Sequence, residues 1–257
     1  MFANGLYTTT DVVIVASNGI LGARPLARNR CPPWRSPVED RNSRLRAVYE
    51  EAFPRLHELT NPRPDASGPL LIEVPGEYER ARVKLLCVGQ QTNGWPETSH
   101  GIDGLLKVYR EFDLGRNYTS SPFWVACHRL SRALNPDGPG FSFTWSNLIK
   151  IDQDQGRPSP EVEESVCSLR LLEKEISILE PQVVVFFTGP RYDDRLRATF
   201  PGIKLDVGSR WFSALRHSAL PTASFRTYHP GYLWRARQSG QILEIGRLAT
   251  SLLRSAG

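Results

Sequence analysis

The sequence predicts an α/β fold: a three-layer sandwich whose central, mostly parallel four-stranded sheet is flanked by helices. Three observations lead there. Four apolar runs rich in Val, Ile and Phe are spread over residues 82–230, segments of helical periodicity lie between them, and 40% of the 257 residues are hydrophobic. That is enough to bury a substantial core. Apolar strands alternating with helices belong to mostly parallel sheets covered on both faces.

Residues 1–40 read as an N-terminal extension, with Pro and Arg clustered in "RNRCPPWRSP" and one short β-like run, "DVVIVAS". The domain proper is expected over 41–257. From Arg44 onward Leu45, Val48, Tyr49, Ala52, Phe53 and Leu56 fall on one helical face, and the Pro-rich "TNPRPDASGP" ends that helix. The strands are expected at "RVKLLCVG" (82–89), "FSFTWSNLI" (141–149), "QVVVFFTG" (182–189) and "ASFRTYHP" (223–230). Helices are expected over 101–112, 122–134, 161–180, 191–199 and 235–253. In the third of these Val166, Leu169, Leu172, Ile176 and Leu179 recur at helical spacing before Pro181. No internal repeat is visible.

Composition narrows the class. No apolar run approaches the roughly 20 residues a bilayer span needs, and Val12 to Ala16 has neither the length nor the basic leader of a signal peptide, so a soluble, cytoplasmic protein is expected. Cys31, Cys87, Cys127 and Cys167 show no C-x-x-C pairing, which argues against a zinc ribbon, a redox motif or a disulfide framework. Net charge is +5, and residues 181–257 hold 11 Arg and Lys against 4 Asp and Glu. Basic residues gathered on one segment are the footprint of a phosphate backbone, although Arg outnumbers Lys 27 to 5 throughout and a coding bias explains that equally well.

Ligands of such sheets bind beyond the carboxyl ends of the strands. Those ends hold Gly89-Gln90-Gln91-Thr92-Asn93, then Asn147, then Thr188-Gly189-Pro190, then His229-Pro230. Amides and an imidazole on one rim either brace turns or hold something polar, since a buried amide without a partner costs about 1–3 kcal/mol.

Taken together, "CVGQQTNGW", "WSNLIK", "EPQVVVFFTG" and "YHPGYLWRAR" resemble, in order and over about residues 82–238, the motifs of the uracil-DNA glycosylase superfamily. The resemblance implies an enzyme that flips a pyrimidine out of DNA and hydrolyses its N-glycosidic bond, leaving an abasic site. It implies that Asn147 reads the base edge with one donor and one acceptor. His229 would donate a hydrogen bond as charge builds on the departing base. Leu233 would fill the gap left by the flipped base with Tyr232 or Trp234 assisting, and Arg235 and Arg237 would meet phosphates. Gln90 joins the base-binding set. Trp95 or Phe143 would stack on the base, with Phe112 and Phe123 as rivals, and Ser120 and Ser121 are candidates for phosphate contact.

The sequence departs from the family at two positions. Where uracil-specific members carry an aspartate that orients water and a tyrosine that screens C5 of the pyrimidine, this chain has Gln91 and Asn93. A neutral amide positions water but supplies no charge, so Glu97, Asp103 or Asp152 is the expected substitute if any carboxylate assists. Loss of the aromatic wall at 93 points to a base carrying a C5 substituent, such as a hydroxymethylated or glucosylated cytosine of phage DNA. Whether the task is repair or antiphage defence stays open. No cofactor, metal or protein partner is implied, and apart from Lys150 no lysine stands near the motifs for Schiff-base chemistry. The alternatives are uracil excision in repair, a catalytically silent DNA-binding relative, and a different doubly wound enzyme acting on free nucleotides.

Overall fold

The computed structural model describes residues 36–255. The run "DVVIVAS" and all but the last five residues of the expected N-terminal arm lie outside them. Helix α1, Pro37–Thr60, begins seven residues before Arg44 because Ser36 and Glu39 form a reciprocal capping box ahead of Pro37. It buries Leu45, Tyr49, Ala52, Leu56 and Leu59.

The remaining helices are α2 Gly76–Arg80, α3 Gly101–Phe112, α4 Pro122–Leu134, α5 Pro160–Ser168, α6 Leu171–Leu179, α7 Asp193–Thr199, α8 Pro230–Arg235 and α9 Gln241–Ser255. The strands are β1 Ala66–Ser67, β2 Leu85–Gly89, β3 Phe143–Asn147, β4 Asp152–Gln153, β5 Val183–Phe186, β6 Lys204–Val207, β7 Phe212–Arg216 and β8 Ala223–Thr227. One expected helix is divided: Arg170, in the left-handed region at φ 50°, separates α5 from α6. The last helix begins at Gln241 and not at Arg235, where the short α8 ends, and Arg237 at φ 57° lies in the break between them.

The four expected strands form a parallel set in the order β3-β2-β5-β8, every residue of it buried. The sheet does not stop at four. A hairpin, β6–β7, adds antiparallel to β8 and makes a six-stranded mixed sheet flanked by helices. "KLDV" and "FSALR" escaped prediction because they carry the charged, half-exposed pattern with which proteins blunt an edge. The short pair β1–β4 makes a separate two-stranded sheet.

Both faces of the parallel set are covered, and register identifies them. Cys87 pairs with Trp145 and Val88 with Ser146, so these pairs point to opposite sides. The buried Cys127 thiol of α4 lies beside Cys87 on one side, and Glu175 of α6 meets Ser146 on the other. On that second side Lys150 is sealed from solvent. Its Nζ lies 2.6 Å from Glu175 Oε2 and also bonds Ser146 Oγ, while Tyr49 donates to Glu175 Oε1 at 2.9 Å and accepts from the Ile72 N–H at 3.1 Å. Burial holds the Lys150 pKa below its ordinary value even with Glu175 beside it. The amine is thus an element of the core, and the Schiff-base exception raised for it falls away. Among the described residues no helix is long and apolar enough to cross a membrane.

A buried pair that loses one member leaves an uncompensated charge, a loss of about 3–5 kcal/mol. Glu175→Ala is therefore expected to lower unfolding stability in urea by about that amount. The double replacement Lys150→Met with Glu175→Leu should recover most of it, because it removes both charges and keeps the volume.

Candidate active site

The carboxyl ends of β2 and β3, the loop after β2, the start of α4 and the segment between β8 and α8 enclose a cleft of about 460 Å³. This lies within the roughly 300–1,000 Å³ usual for ligand clefts. Gly89, Gln90, Gln91, Thr92, Asn93, Trp95, Ser121, Phe123, Asn147 and His229 all line it, joined by Phe112, Tyr118, Trp124 and Trp145.

Register sets its centre. Gly89 on β2 stands opposite Asn147 on β3. A Cβ at residue 89 would collide with Asn147 Oδ1 and would sit 3.5 Å from Phe123 Cε2. Only a glycine lets the amide lie across the strand end. The indole Nε1–H of Trp145 donates to Asn147 Oδ1 at 3.1 Å. An indole nitrogen can only donate, so this bond fixes which end of the amide is oxygen. Asn147 is 3% exposed. Its NH2 group and a second lone pair of Oδ1 remain for a ligand.

The other amides divide into braces and open groups. Gln90 donates from Nε2 to the Thr188 carbonyl at 2.9 Å, tying the end of β2 to that of β5. Gln91 Oε1 accepts from the Tyr192 hydroxyl at 2.6 Å. Burial raises the Tyr192 pKa to about 12, so that hydroxyl stays protonated as the donor. Asn93 is exposed at the mouth, beside Gly94 at φ 70°. The Gly94 N–H donates to Asp152 Oδ2 at 3.0 Å, and Asp152 also accepts from Ser67 and from the Gln155 N–H. This carboxylate braces the loop after β2 from behind. Thr92 Oγ1 and Trp95 Nε1 are buried without a hydrogen-bond partner.

The aromatic wall centres on Trp145, whose ring meets Trp124 at 4.9 Å, Phe112 at 5.6 Å and Trp95 at 5.7 Å. Phe123 lies nearly parallel to the His229 ring, centroids 5.9 Å apart at 16°. His229 Nδ1 accepts from the Gly231 N–H at 3.2 Å. In the neutral ring the proton is therefore on Nε2. Burial, with Arg235 adding to it, lowers the His229 pKa from 6.5, so the ring is neutral at physiological pH.

Three expectations need correction. Leu233 is fully buried in the core and does not protrude, because α8 turns its apolar face inward; Tyr232, 39% exposed, is the side chain that projects. Phe143 is also fully buried, packed against His128 at 5.4 Å, and does not line the cleft. None of the three carboxylates named from sequence lines it either: Glu97 is exposed, Asp103 is exposed and paired with Arg46, and Asp152 faces the backbone groups above. Ser120 is exposed outside the lining while Ser121 is part of it, and Arg235 and Arg237 are exposed beside α8. Trp234 is half-buried, 5.4 Å from the Arg129 guanidinium. Phe123, one of two rivals left open, flanks Asn147, and Trp145 is a site residue that sequence reading missed. Its place two residues before Asn147 on the same side of a strand was the signal that could have found it.

Among the described residues no group of three or more His, Cys, Asp and Glu could hold a metal ion. No protein-family model matches the chain, and no curated protein matches it.

His229 should titrate below 6.5, with its neutral proton on Nε2, and Arg235→Ala should raise its pKa; nitrogen-detected NMR of the imidazole reads all three. Because the folded protein takes up this proton at lower pH than the unfolded chain, the group's contribution to stability should fall as pH drops from 6.5 through the folded value.

Proposed function

We propose that this protein is a DNA glycosylase that draws a pyrimidine nucleotide out of DNA into the cleft and hydrolyses the bond between C1′ and the base. The observation that carries this reading is the convergence of a fixed, half-satisfied amide, a neutral imidazole with its N–H free, and an aromatic face on one rim of a parallel sheet. Asn147 takes the donor and acceptor of the base edge. Phe123 supplies the stacking face.

As the C1′–N1 bond lengthens, its electron pair moves onto the base, and His229 Nε2–H donates to the carbonyl oxygen where that charge collects. A neutral donor does this without a second proton transfer. Water adds to C1′ from the opposite side, and the proton it loses neutralises the departed base. Among the described residues no carboxylate lines the cleft to stabilise the cationic sugar. The reaction therefore draws on the leaving group and on the polar groups of Gln91, Thr92 and the loop backbone. The exposed mouth at Asn93 and Gly94 leaves room beside the base, which favours a C5-substituted cytosine over plain uracil.

The carboxylate-free lining also favours a second reading, a relative that binds a flipped base and leaves it uncut. Single-turnover incubation with oligonucleotides carrying uracil, 5-hydroxymethylcytosine or its glucosylated form, followed by alkaline cleavage, separates the two. Abasic product is expected, fastest from a C5-substituted base. His229→Ala should slow it by about 10²–10³-fold, the usual loss for one charge-stabilising donor. Asn147→Ala and Gly89→Ala should both abolish it, the second by displacing the amide. No product from any base, with DNA binding intact, would establish the silent binder. Equal or faster release of uracil would refute the C5 preference.

A further inference from the structure

A glycosylase that works inside a duplex has to fill the gap behind the extruded nucleotide with a protruding side chain. The residue at the expected position, Leu233, is sealed in the core. What lies nearby is a chain of ring contacts, one of them stacked and one edge to face. Tyr232, 39% exposed, stacks on Tyr228 at 4.8 Å and 25°. Tyr228, directly before His229, meets Trp211 edge to face at 5.8 Å and 62°, and the guanidinium of Arg210 lies 5.0 Å from the Trp211 ring.

These contacts exist because of the hairpin. Phe212 of β7 pairs with Thr227 of β8, and the Thr227 hydroxyl donates to the Trp211 carbonyl at 2.9 Å, which holds the β6–β7 turn against the end of β8. Val207 at that turn is 77% exposed. Arg210, Arg235 and Arg237 are exposed, and none forms an ion pair with a carboxylate among the described residues. Rings offering their faces between unpaired guanidinium groups are the recognition chemistry of a single nucleic-acid strand: bases stack, phosphates meet the cations. A duplex offers neither its base faces nor a route past the buried leucine.

We infer that Arg210, Trp211, Tyr228 and Tyr232 form a platform for unpaired bases next to the target nucleotide, so that the protein prefers single-stranded DNA. The choice of DNA rests on the glycosylase reading; the stacking platform does not.

Fluorescence anisotropy with a labelled oligonucleotide of ordinary bases tests this independently of any cutting. The single strand should bind at least about tenfold more tightly than the same sequence as duplex, and Tyr232→Ala should weaken it by about 5- to 100-fold, the range for losing one base-stacking ring. Tyr232→Trp should restore binding. Arg210→Ala should make the salt dependence shallower. Tyr232 is exposed, so its replacement should leave the melting temperature unchanged, and it serves as the test should Trp211→Ala fold poorly. Binding of duplex as tight as of single strand, or unchanged affinity in Tyr232→Ala and Arg210→Ala, would overturn the platform whether or not abasic product forms. Tighter binding of an RNA of the same sequence would overturn the assignment to DNA. Absence of abasic product with the platform variants behaving as expected would overturn only the glycosylase reading.

Discussion

A missing Cβ at residue 89 is the constraint on which the cleft depends. Parallel register sets Gly89 opposite Asn147, and any larger residue there would drive the amide off the strand end. With the glycine in place, Asn147 can lie across β2, take the Trp145 N–H and keep its remaining groups directed into the cleft. The backbone also approaches closely enough for Phe123 to cover the same spot. One absent methyl group thus lets an amide, a ring and a strand end share a few ångströms. A strand built only for packing would gain more from the apolar side chains that fill the rest of β2.

The neutral character of the cleft has chemical consequences. A carboxylate beside a departing base both repels it and stabilises the sugar left behind. In the proposed reaction its absence among the described residues removes the second effect and softens the first, shifting the burden to the donor on the leaving group. His229 is suited to that: burial keeps it uncharged, and the Gly231 N–H holds its tautomer. Gln91, at the position expected to orient water, has its carbonyl engaged by Tyr192, and Tyr192 in turn packs 4.3 Å from the Arg157 guanidinium. Gln91 is therefore held in place, and its NH2 group is the part left to interact with solvent or substrate.

The strand ends were legible because β2 and β5 are apolar on both faces and break abruptly into polar residues, while β3 and β8, though fully buried, mix apolar residues with Thr144, Ser146, Ser224 and Arg226. The hairpin was not legible, since Lys204, Asp206 and Arg216 belong to an edge whose stability comes from pairing with β8 rather than from its own burial. Leu233 and Phe143 misled for a common reason. Spacing within a motif tells how far along the chain a side chain lies, whereas the way it points depends on how a six-residue helix and an edge strand are rolled against their neighbours. Asp152 misled in another way. Closeness in sequence to the cleft suggested a catalytic carboxylate, but the Gly94 N–H of the loop after β2, the Ser67 hydroxyl and the Gln155 N–H occupy its oxygens.

The buried pair behind the sheet belongs to the same design as the cleft. Along β3, Ser146 faces Glu175 and Lys150 while Asn147 faces the cleft, so one strand end is gripped from both sides. Each grip is made of groups that cannot be moved without breaking a buried hydrogen bond or exposing a buried charge. Binding energy at an amide is useful only when the amide is already aimed, because every rotamer that must be frozen on binding subtracts from it. The charged network costs desolvation that an apolar core would avoid, and what it returns is a β3 end that holds still while a ligand arrives. The loop of Thr92 and Asn93 is held by the Asp152 carboxylate on the same logic, and the turn between β6 and β7 is tied to the end of β8 by the Thr227 hydroxyl.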